Sequence, residues 1–340
     1  PRHSSSAASD VYKRQGAANV AVGRQALNSN TTAAANVAVG YQSAYSNTTG
    51  VELTSVGYQA GYANTTGTRL TAIGYQAGLA NTTGAENTFI GRKSGLANTT
   101  AANNTVVGSY AFTANTTGAN NVAIGKSALL ANTTAGENTA VGYNSLTANT
   151  TGTPNIAVGN YSLESNTTGT SNTAVGLSAL KSNTTASNNL AVGQNALRLN
   201  STGTRNTAVG LSVMYSTTTG VDNTAIGGID AAAASTLYSN TTGTNNVAVG
   251  GGALYTNTTS SNNTAVGYRA LKTNTAANNT AVGSGCFQSN TTASGNTGVG
   301  IQVGLYTTTG YALTGMGQSA LGNNTTCLLY TSDAADELCR

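Results

Sequence analysis

The sequence is poor in the residue types that carry out chemistry. It contains no tryptophan, one histidine, three cysteines and two prolines, and only 7% of its residues are charged. The histidine, His3, and two cysteines, Cys327 and Cys339, lie close to the ends of the chain, so Cys286 is the single cysteine between them. These absences exclude a histidine-containing catalytic triad, the usual zinc sites and a disulfide framework.

The few charges also limit the partners and activities that the sequence predicts. A formal net charge of +4, spread along the chain, is too weak to indicate a nucleic-acid-binding surface. The acidic residues do not cluster, so they provide neither a catalytic carboxylate pair nor the regular aspartates of calcium-binding repeats. No lysine follows the glycines at the spacing of a phosphate-binding loop. The sequence therefore predicts no enzymatic activity, no cofactor, no metal site and no nucleic-acid partner.

What the sequence does contain is a short repeat, clearly seen in residues 138–154. A glycine closes each segment of the Ala-Val-Gly type, and successive glycines are 17 residues apart except at one six-residue insertion and one single-residue deletion. The equivalent glycines are Gly23, Gly40, Gly57, Gly74, Gly91, Gly108, Gly125, Gly142, Gly159, Gly176, Gly193, Gly210, Gly227, Gly250, Gly267, Gly283, Gly300 and Gly317. A short period repeated in this way is typical of a solenoid, in which each copy forms one coil.

We number the residues of each coil so that this glycine, Gly142 in the example, is position five. Position one is asparagine in fifteen of the eighteen copies, as at Asn138, and positions two to four alternate β-branched residues with alanine, as at Ala140 and Val141. This alternation predicts a short strand whose positions two and four fill the interior of the coil. Positions three and five would then form a flat face that meets a neighbouring strand or subunit.

The rest of the coil is predicted to contain a second short strand and a closing turn. Positions six to nine commonly begin with tyrosine and end with leucine, as at Leu146, and copies with glycine at position nine should have a thinner core. The turn is Asn-Thr-Thr-Gly, with Asn149 and Gly152 at its ends; asparagine starts the turn and glycine supplies a positive φ. Stacked asparagines such as Asn138 are expected to form a hydrogen-bonded ladder from coil to coil.

Together these features predict an all-β fold, namely a parallel β-solenoid (β-roll) of about eighteen coils. A helix is not predicted, because glycine recurs in every coil and β-branched residues are frequent. One coil cannot offset the entropy of ordering its own backbone, so its stability must come from stacking on its neighbours. We expect the repeat domain to occupy 16–326, with the insertion at 228–235 forming a loop or a single helical turn.

The two ends of the chain do not follow the repeat. Residues 5–15 and 327–337 resemble translated sequencing-adapter sequence, as found on open reading frames from metagenomic contigs. We therefore expect 1–15 and 327–340 to be non-native or disordered flanks of a gene truncated at both ends. The lack of a signal peptide or anchor then carries no information, and no membrane span is predicted within this fragment.

The run Asn-Thr-Ala-Val-Gly-Tyr at 138–143, with leucine at position nine, resembles the head repeats of trimeric autotransporter adhesins. The long Asn-Thr-Thr-Gly turn is similar to repeats of phage tail fibres and of bacterial surface proteins with a tail-fibre-type chaperone domain. The resemblance covers 17–326, although a coil of 17 residues is longer than that of the adhesins. It implies a left-handed β-roll, a homotrimer, an extracellular location on a cell surface or virion, and a host-surface or glycan receptor.

The sequence thus predicts a structural or adhesive shaft or head of an extracellular fibre. If the fibre binds a receptor, binding is expected where the repeat is broken, and Ile229 and Asp230 in the insertion are the candidate residues. The alternative for the insertion is a tolerated surface loop without a ligand. The alternative is a surface-ordering solenoid such as an ice-binding protein, suggested by stacked threonine pairs in the turn, for example Thr48 and Thr49. Adjacent residues do not both point outward from a flat strand, which counts against a threonine array at that place.

Overall fold

A computed structural model describes residues 16–232, 234–322 and 324–326. The predicted flanks at 1–15 and 327–340 lie outside these residues. No described segment is a helix with the length and apolarity that crossing a bilayer requires. The described strands are β1 (Val20–Val22), β2 (Val37–Val39), β3 (Thr54–Val56), β4 (Thr71–Ile73), β5 (Thr88–Ile90), β6 (Thr105–Val107), β7 (Val122–Ile124), β8 (Thr139–Val141), β9 (Asn155–Val158), β10 (Asn172–Val175), β11 (Leu190–Val192), β12 (Thr207–Val209), β13 (Thr224–Ile226), β14 (Val247–Val249), β15 (Thr264–Val266), β16 (Thr280–Val282), β17 (Thr297–Val299) and β18 (Thr314–Met316).

Within each of two units, the strands pair in parallel, each with the strand of the following coil. The chain divides into two units, the first ending at Thr170 and the second beginning at Ser171. In the first unit β1 to β9 pair in sequence order, so Ile124 lies beside Val141 and Val141 beside Val158. In the second unit β10 to β18 pair in the same register. The predicted parallel β-solenoid, with equivalent residues stacked, is confirmed.

The two faces of the strand are the reverse of those predicted. Ala140 is 0% exposed, whereas Val141 is only half-buried, and the other described strands from β2 onward alternate in the same way. Position three faces the side chain of position nine, since Ala38 and Leu27 belong to one buried cluster. The leucines fill the narrow interior, so a small residue is favoured opposite them. The β-branched residues of positions two and four therefore point outward.

Position five meets the neighbouring strand, one of the two predicted alternatives, whereas position three faces the coil interior. Gly142 has a φ of +136°, and a Cβ added to it would lie 2.5 Å from the carbonyl oxygen of Gly159. Such a close approach leaves no room for a side chain. Ala140 and Ala157 are both completely buried inside their coils. The flat alanine and glycine face is thus occupied by the coil interior and the next coil, and it offers nothing to a subunit.

The core is filled where position nine is glycine, contrary to the predicted thinning. Phe89 replaces alanine at position three and is completely buried. A Cβ added to Gly78 or Gly95, both at position nine, would lie 2.7 Å or 2.3 Å from a ring carbon of Phe89. The second unit shows the converse arrangement, because Phe287 at position nine lies against Gly298 at position three. Large and small residues therefore alternate across the interior so that its volume stays filled.

Positions six to nine form turns and not the predicted second strand. Positions seven and nine repeatedly adopt positive φ, as at Asn144 (53°) and Leu146 (49°). Their backbone still bonds from coil to coil: the Asn144 N–H donates to the Lys126 oxygen at 3.1 Å and the Leu146 N–H to the Ser162 oxygen at 3.0 Å. A left-handed conformation costs about 1–2 kcal/mol for a non-glycine residue. Hydrogen bonding and the burial of Leu146 offset that cost.

Two buried asparagine columns join the coils, which confirms the predicted ladder. At position one, the Asn138 N–H donates to Asn121 Oδ1 at 3.0 Å and Asn138 Nδ2 donates to the Gly152 oxygen at 3.0 Å. At position twelve, Asn149 Nδ2 donates to Asn132 Oδ1 and to the same Gly152 oxygen, both at 3.0 Å. Gly152 does not have the predicted positive φ; in the preceding turn, before Asn138, the left-handed residue is Glu137 at position seventeen (φ 59°).

Candidate functional site

The predicted binding residues lie in the insertion between β13 and β14. Ile229 pairs with Ser235 in an antiparallel bridge, and the exposed residues Ala231 and Ala232 belong to the turn that follows Asp230. Within the described residues, the insertion is therefore a short loop closed by one antiparallel bridge. Ile229 is 53% exposed, whereas Asp230 is buried. Of the two predicted residues, only Ile229 offers accessible surface.

Asp230 is the centre of a buried hydrogen-bonded cluster. Its Oδ1 accepts from the N–H groups of Ala232 (2.8 Å) and Ala234 (2.9 Å), and its Oδ2 accepts from Arg269 Nε (2.6 Å) and Lys272 Nζ (3.3 Å). Burial alone would raise the pKa of Asp230, but the hydrogen bonds from Ala234, Arg269, Ala232 and Lys272 together hold that pKa well below its ordinary value. The charged carboxylate thus ties the insertion to the coils that follow it.

The coil after the insertion makes room for it. Gly251 and Gly252 stand at positions six and seven of that coil. A Cβ added to Gly252 would lie 3.0 Å from Asp230 Oδ2, and one added to Gly251 would lie 3.3 Å from the Ile229 carbonyl oxygen. The sequence analysis missed this relationship. The signal was the run of three glycines one coil after the insertion.

Within residues 16–232, 234–322 and 324–326, the other titratable groups do not combine into a reactive site. Arg69 lies between Glu52 and Glu86, and Arg205 Nε donates to Asp222 Oδ1 at 2.6 Å. All five residues stand at position seventeen and are exposed. Exposed pairs of this kind stabilise little. Burial raises the pKa of Cys286 to about 12, which keeps the thiol protonated and unreactive at neutral pH. Among the residues that the structure describes, no three His, Cys, Asp or Glu side chains come together to hold a metal.

One outward-facing surface consists of the side chains of positions two and four of the strands, which we call the strand face. Its members are mainly threonine at position two and valine or isoleucine at position four. They range from half-buried to well exposed, for example Ile156 at 45% and Ile226 at 42%. None of them is charged. The sequence analysis placed these residues in the core, so it missed this surface.

Tyrosines form a second outward-facing feature, the tyrosine columns. Tyr41, Tyr58 and Tyr75 stack with ring centroids 5.3 and 5.2 Å apart, and Gln59 bonds Gln42 beside them. The second unit has a column at a different place in the coil, position ten, formed by the half-buried Tyr215, Tyr238 and Tyr255. Stacked rings cover one another's faces, so the columns present ring edges and hydroxyl groups to their surroundings. This arrangement fits packing better than the stacking of a sugar or a base.

The turn threonines divide into two kinds. At position thirteen the hydroxyl bonds to the next coil, as Thr65 Oγ1 does to the Thr82 oxygen at 3.2 Å. At position fourteen the side chain is exposed, as at Thr66 and Thr83. The two threonines of a pair therefore differ: the position-thirteen hydroxyl is bonded to the next coil, and the position-fourteen side chain is exposed to solvent. This agrees with the expectation that adjacent residues do not both point outward.

Comparison with known proteins adds no assignment. No family model, no curated protein and no solved structure matches the chain. The resemblance to adhesin heads and tail fibres stays a prediction based on the repeat itself.

Proposed function

We propose that this chain forms part of the structural or adhesive shaft or head of an extracellular fibre, on a bacterial surface or in a phage tail, and that it has no catalytic site. The observation that carries the proposal is the uniform joining of coils within each unit. The strand register, the buried asparagine columns and the threonine hydroxyls at position thirteen repeat the same bonds from one coil to the next. Such repetition suits a scaffold, because each copy contributes an equal share of stability.

Homotrimeric assembly is the second part of the proposal. The tyrosine columns support it, because aromatic residues are enriched at protein interfaces. Tyr58 and Tyr75 are 43% and 46% exposed although their rings stack on each other. The buried position-three alanines cannot serve as the interface. Packing through the tyrosine columns would leave the strand face uncovered.

A receptor, in this proposal, contacts the interrupted coil. Ile229 is the largest exposed apolar residue of the described insertion, and Asp230 fastens the loop through hydrogen bonds to Ala234 and Arg269. A preorganised loop binds with a smaller entropic cost than a free one. A host-surface protein or a glycan is the class of receptor that the resemblance implies.

The assembly is tested by measuring the mass and shape of the full chain, alone and fused to a heterologous trimerisation domain, by light scattering and small-angle X-ray scattering. We expect an extended particle with the mass of three chains. The matched variants are Tyr58→Ser with Tyr75→Ser, which should weaken the trimer, and Thr66→Ser with Thr83→Ser, which should not. A compact or persistently monomeric species contradicts the proposal, and turnover of a polysaccharide substrate contradicts the absence of a catalytic site.

A further inference from the structure

The strand face contains two stretches in which threonine occupies position two of four consecutive coils. The first lies in the first unit and the second in the second unit, and both keep an apolar residue at position four. The rows of the first stretch are Thr54 with Val56, Thr71 with Ile73, Thr88 with Ile90 and Thr105 with Val107. The rows of the second are Thr264 with Val266, Thr280 with Val282, Thr297 with Val299 and Thr314 with Met316.

The pairing fixes the spacing of these rows. Thr54, Thr71 and Thr88 are direct partners in successive strands, so no residue is skipped between rows. Parallel strands lie about 4.8 Å apart, and residues two apart in one strand are separated by about 6.6 Å. The first stretch is therefore a two-column grid of hydroxyl and methyl groups on a backbone of constant spacing, and the second differs in ending on Met316.

The grid is also rigid. Threonine, valine and isoleucine have restricted χ1 angles, so their outward groups do not need to be ordered on binding. Beneath Thr88 and Thr105 the backbone is held by buried asparagine bonds, from Asn104 to Asn87 and from Asn121 to Asn104. Beside Thr54 the position-one residue is Leu53, and there the backbone joins the coils, since the Thr54 N–H donates to the Leu70 oxygen at 2.8 Å. The side chains between the columns, Ala72, Phe89 and Val106, are 0% exposed and point into the coil. Little conformational entropy is therefore lost when a regular surface docks here.

The chemical composition of the grid indicates which kind of surface it can bind. It has no charge, so it does not complement a polyanion, a polycation or a metal-rich surface. Its hydroxyls can hydrogen-bond to water, and the methyl groups beside them favour ordered water in the gaps. Hexagonal ice is an uncharged hydrogen-bonded lattice whose oxygen rows repeat at a spacing close to the strand separation. We propose that the strand face binds ice, an activity that goes beyond the fibre function and does not depend on it.

This site differs from the turn threonines that first suggested such an activity. Thr66 and Thr83 are exposed, but they lie in turns beside position-thirteen residues whose hydroxyls are bonded to the next coil. They form a single column without an apolar partner of the strand kind. They therefore provide matched control positions of the same residue type.

The test measures thermal hysteresis and ice-recrystallisation inhibition with the full chain. One variant carries Thr71→Lys, Thr88→Lys, Thr280→Lys and Thr297→Lys on the strand face. The control variant carries Thr66→Lys, Thr83→Lys, Thr151→Lys and Thr292→Lys, all at exposed turn positions. We expect activity from the native chain and the control, and its loss from the strand-face variant. If the lysines lower the melting temperature, the same four positions changed to leucine provide the second variant, because bulk also disrupts the grid.

Three outcomes overturn the proposal. The first is a native chain no more active than an equal mass of an inert protein. The second is a folded strand-face variant that keeps the native activity. The third is a change in the mass of the assembly caused by the strand-face variant, which would make this face an interface between copies. Failure here leaves the fibre proposal standing, since that proposal is tested by mass and shape and not by action on ice.

Discussion

The interior and the exterior of each coil follow different rules, although they alternate residue by residue along the same strand. In the interior, a change at one position is matched by a change at another: Phe89 coexists with Gly78 and Gly95. On the exterior, position two accepts threonine, valine, isoleucine and leucine without any such matching. Side-chain volume therefore limits which residues fit in the narrow interior, whereas position two on the exterior is filled by residues that favour a strand.

The largest effect is expected from emptying the interior. Phe89→Ala should destabilise the chain by about 3–5 kcal/mol, the range for truncating a buried phenylalanine. Gly95→Leu alone should also destabilise it, because the new side chain would meet the ring. The double variant Phe89→Ala with Gly95→Leu should recover much of the loss, since it restores the common pairing of alanine with leucine. Leucine is compatible with the φ of 57° at Gly95, because Leu146 adopts 49° at the same position.

Denaturant unfolding of these three variants measures the coupling as a double-mutant cycle. Additive losses would show that positions three and nine do not share one space. A matched exterior control is Val141→Ala, which removes atoms from the strand face and should cost far less than Phe89→Ala.

Part of this fold could be predicted from the sequence. The period, the parallel register and the asparagine ladder follow from spacing and residue type, and the structure confirms them. The orientation of the strand could not be derived from the alternation of Ala140 and Val141, because hydrophobicity favours valine inside. What decides it is Leu146, whose inward direction depends on positive φ at Asn144 and at Leu146 itself. Propensity argues against that conformation for leucine, so the turn was predicted as a strand.

One signal of the correct orientation was nevertheless present in the chain. Phe89 is the bulkiest residue at position three, and glycine stands at position nine in its own coil and in the coil before it. A correlated change in size between positions three and nine indicates that the two face each other. The candidate site was less predictable, because the partners of Asp230, Arg269 and Lys272, are about forty residues away.

A smaller effect, which depends on pH, is expected at the buried carboxylate. Because the folded-state pKa of Asp230 is lowered, its stabilising contribution is present above the unfolded pKa of about 3.9 and is lost as the pH falls below it. The melting temperature should therefore fall as the pH is lowered from about 4. Asp230→Asn should melt lower than the native chain at neutral pH and show a shallower decline in acid.

The exterior control is Asp222→Asn. This carboxylate has its own lowered pKa because it accepts a hydrogen bond from Arg205, but the pair is exposed. Solvent screens such a pair, so the melting profile should change little. Equal profiles for Asp222→Asn and Asp230→Asn would contradict the distinction between the buried and the exposed carboxylate.

The smallest expected effect is an increase in stability at Thr217, where the asparagine column at position twelve is interrupted. Thr217 replaces asparagine at position twelve, and within the described residues neither its Oγ1 nor Asn200 Oδ1 has a hydrogen-bond partner. Thr217→Asn should continue the ladder and stabilise the chain by about 1 kcal/mol. The neighbouring exposed residue provides the control, since Thr219→Asn makes the same chemical change outside the coil. A gain from both variants, or from neither, in thermal unfolding would count against the ladder.

The orientation of the strand is tested most directly by placing one aspartate on each of its faces, as Ala174→Asp and Val175→Asp. Ala174 is completely buried and Val175 is half-buried, although hydrophobic patterning would put the valine inside. An unpaired charge in the interior costs several kcal/mol or prevents folding, whereas a charge at a solvated position costs little. We predict that the melting temperature of Ala174→Asp falls steeply and that Val175→Asp stays close to the native chain. The opposite order, or equal losses, would contradict the assignment of the two faces.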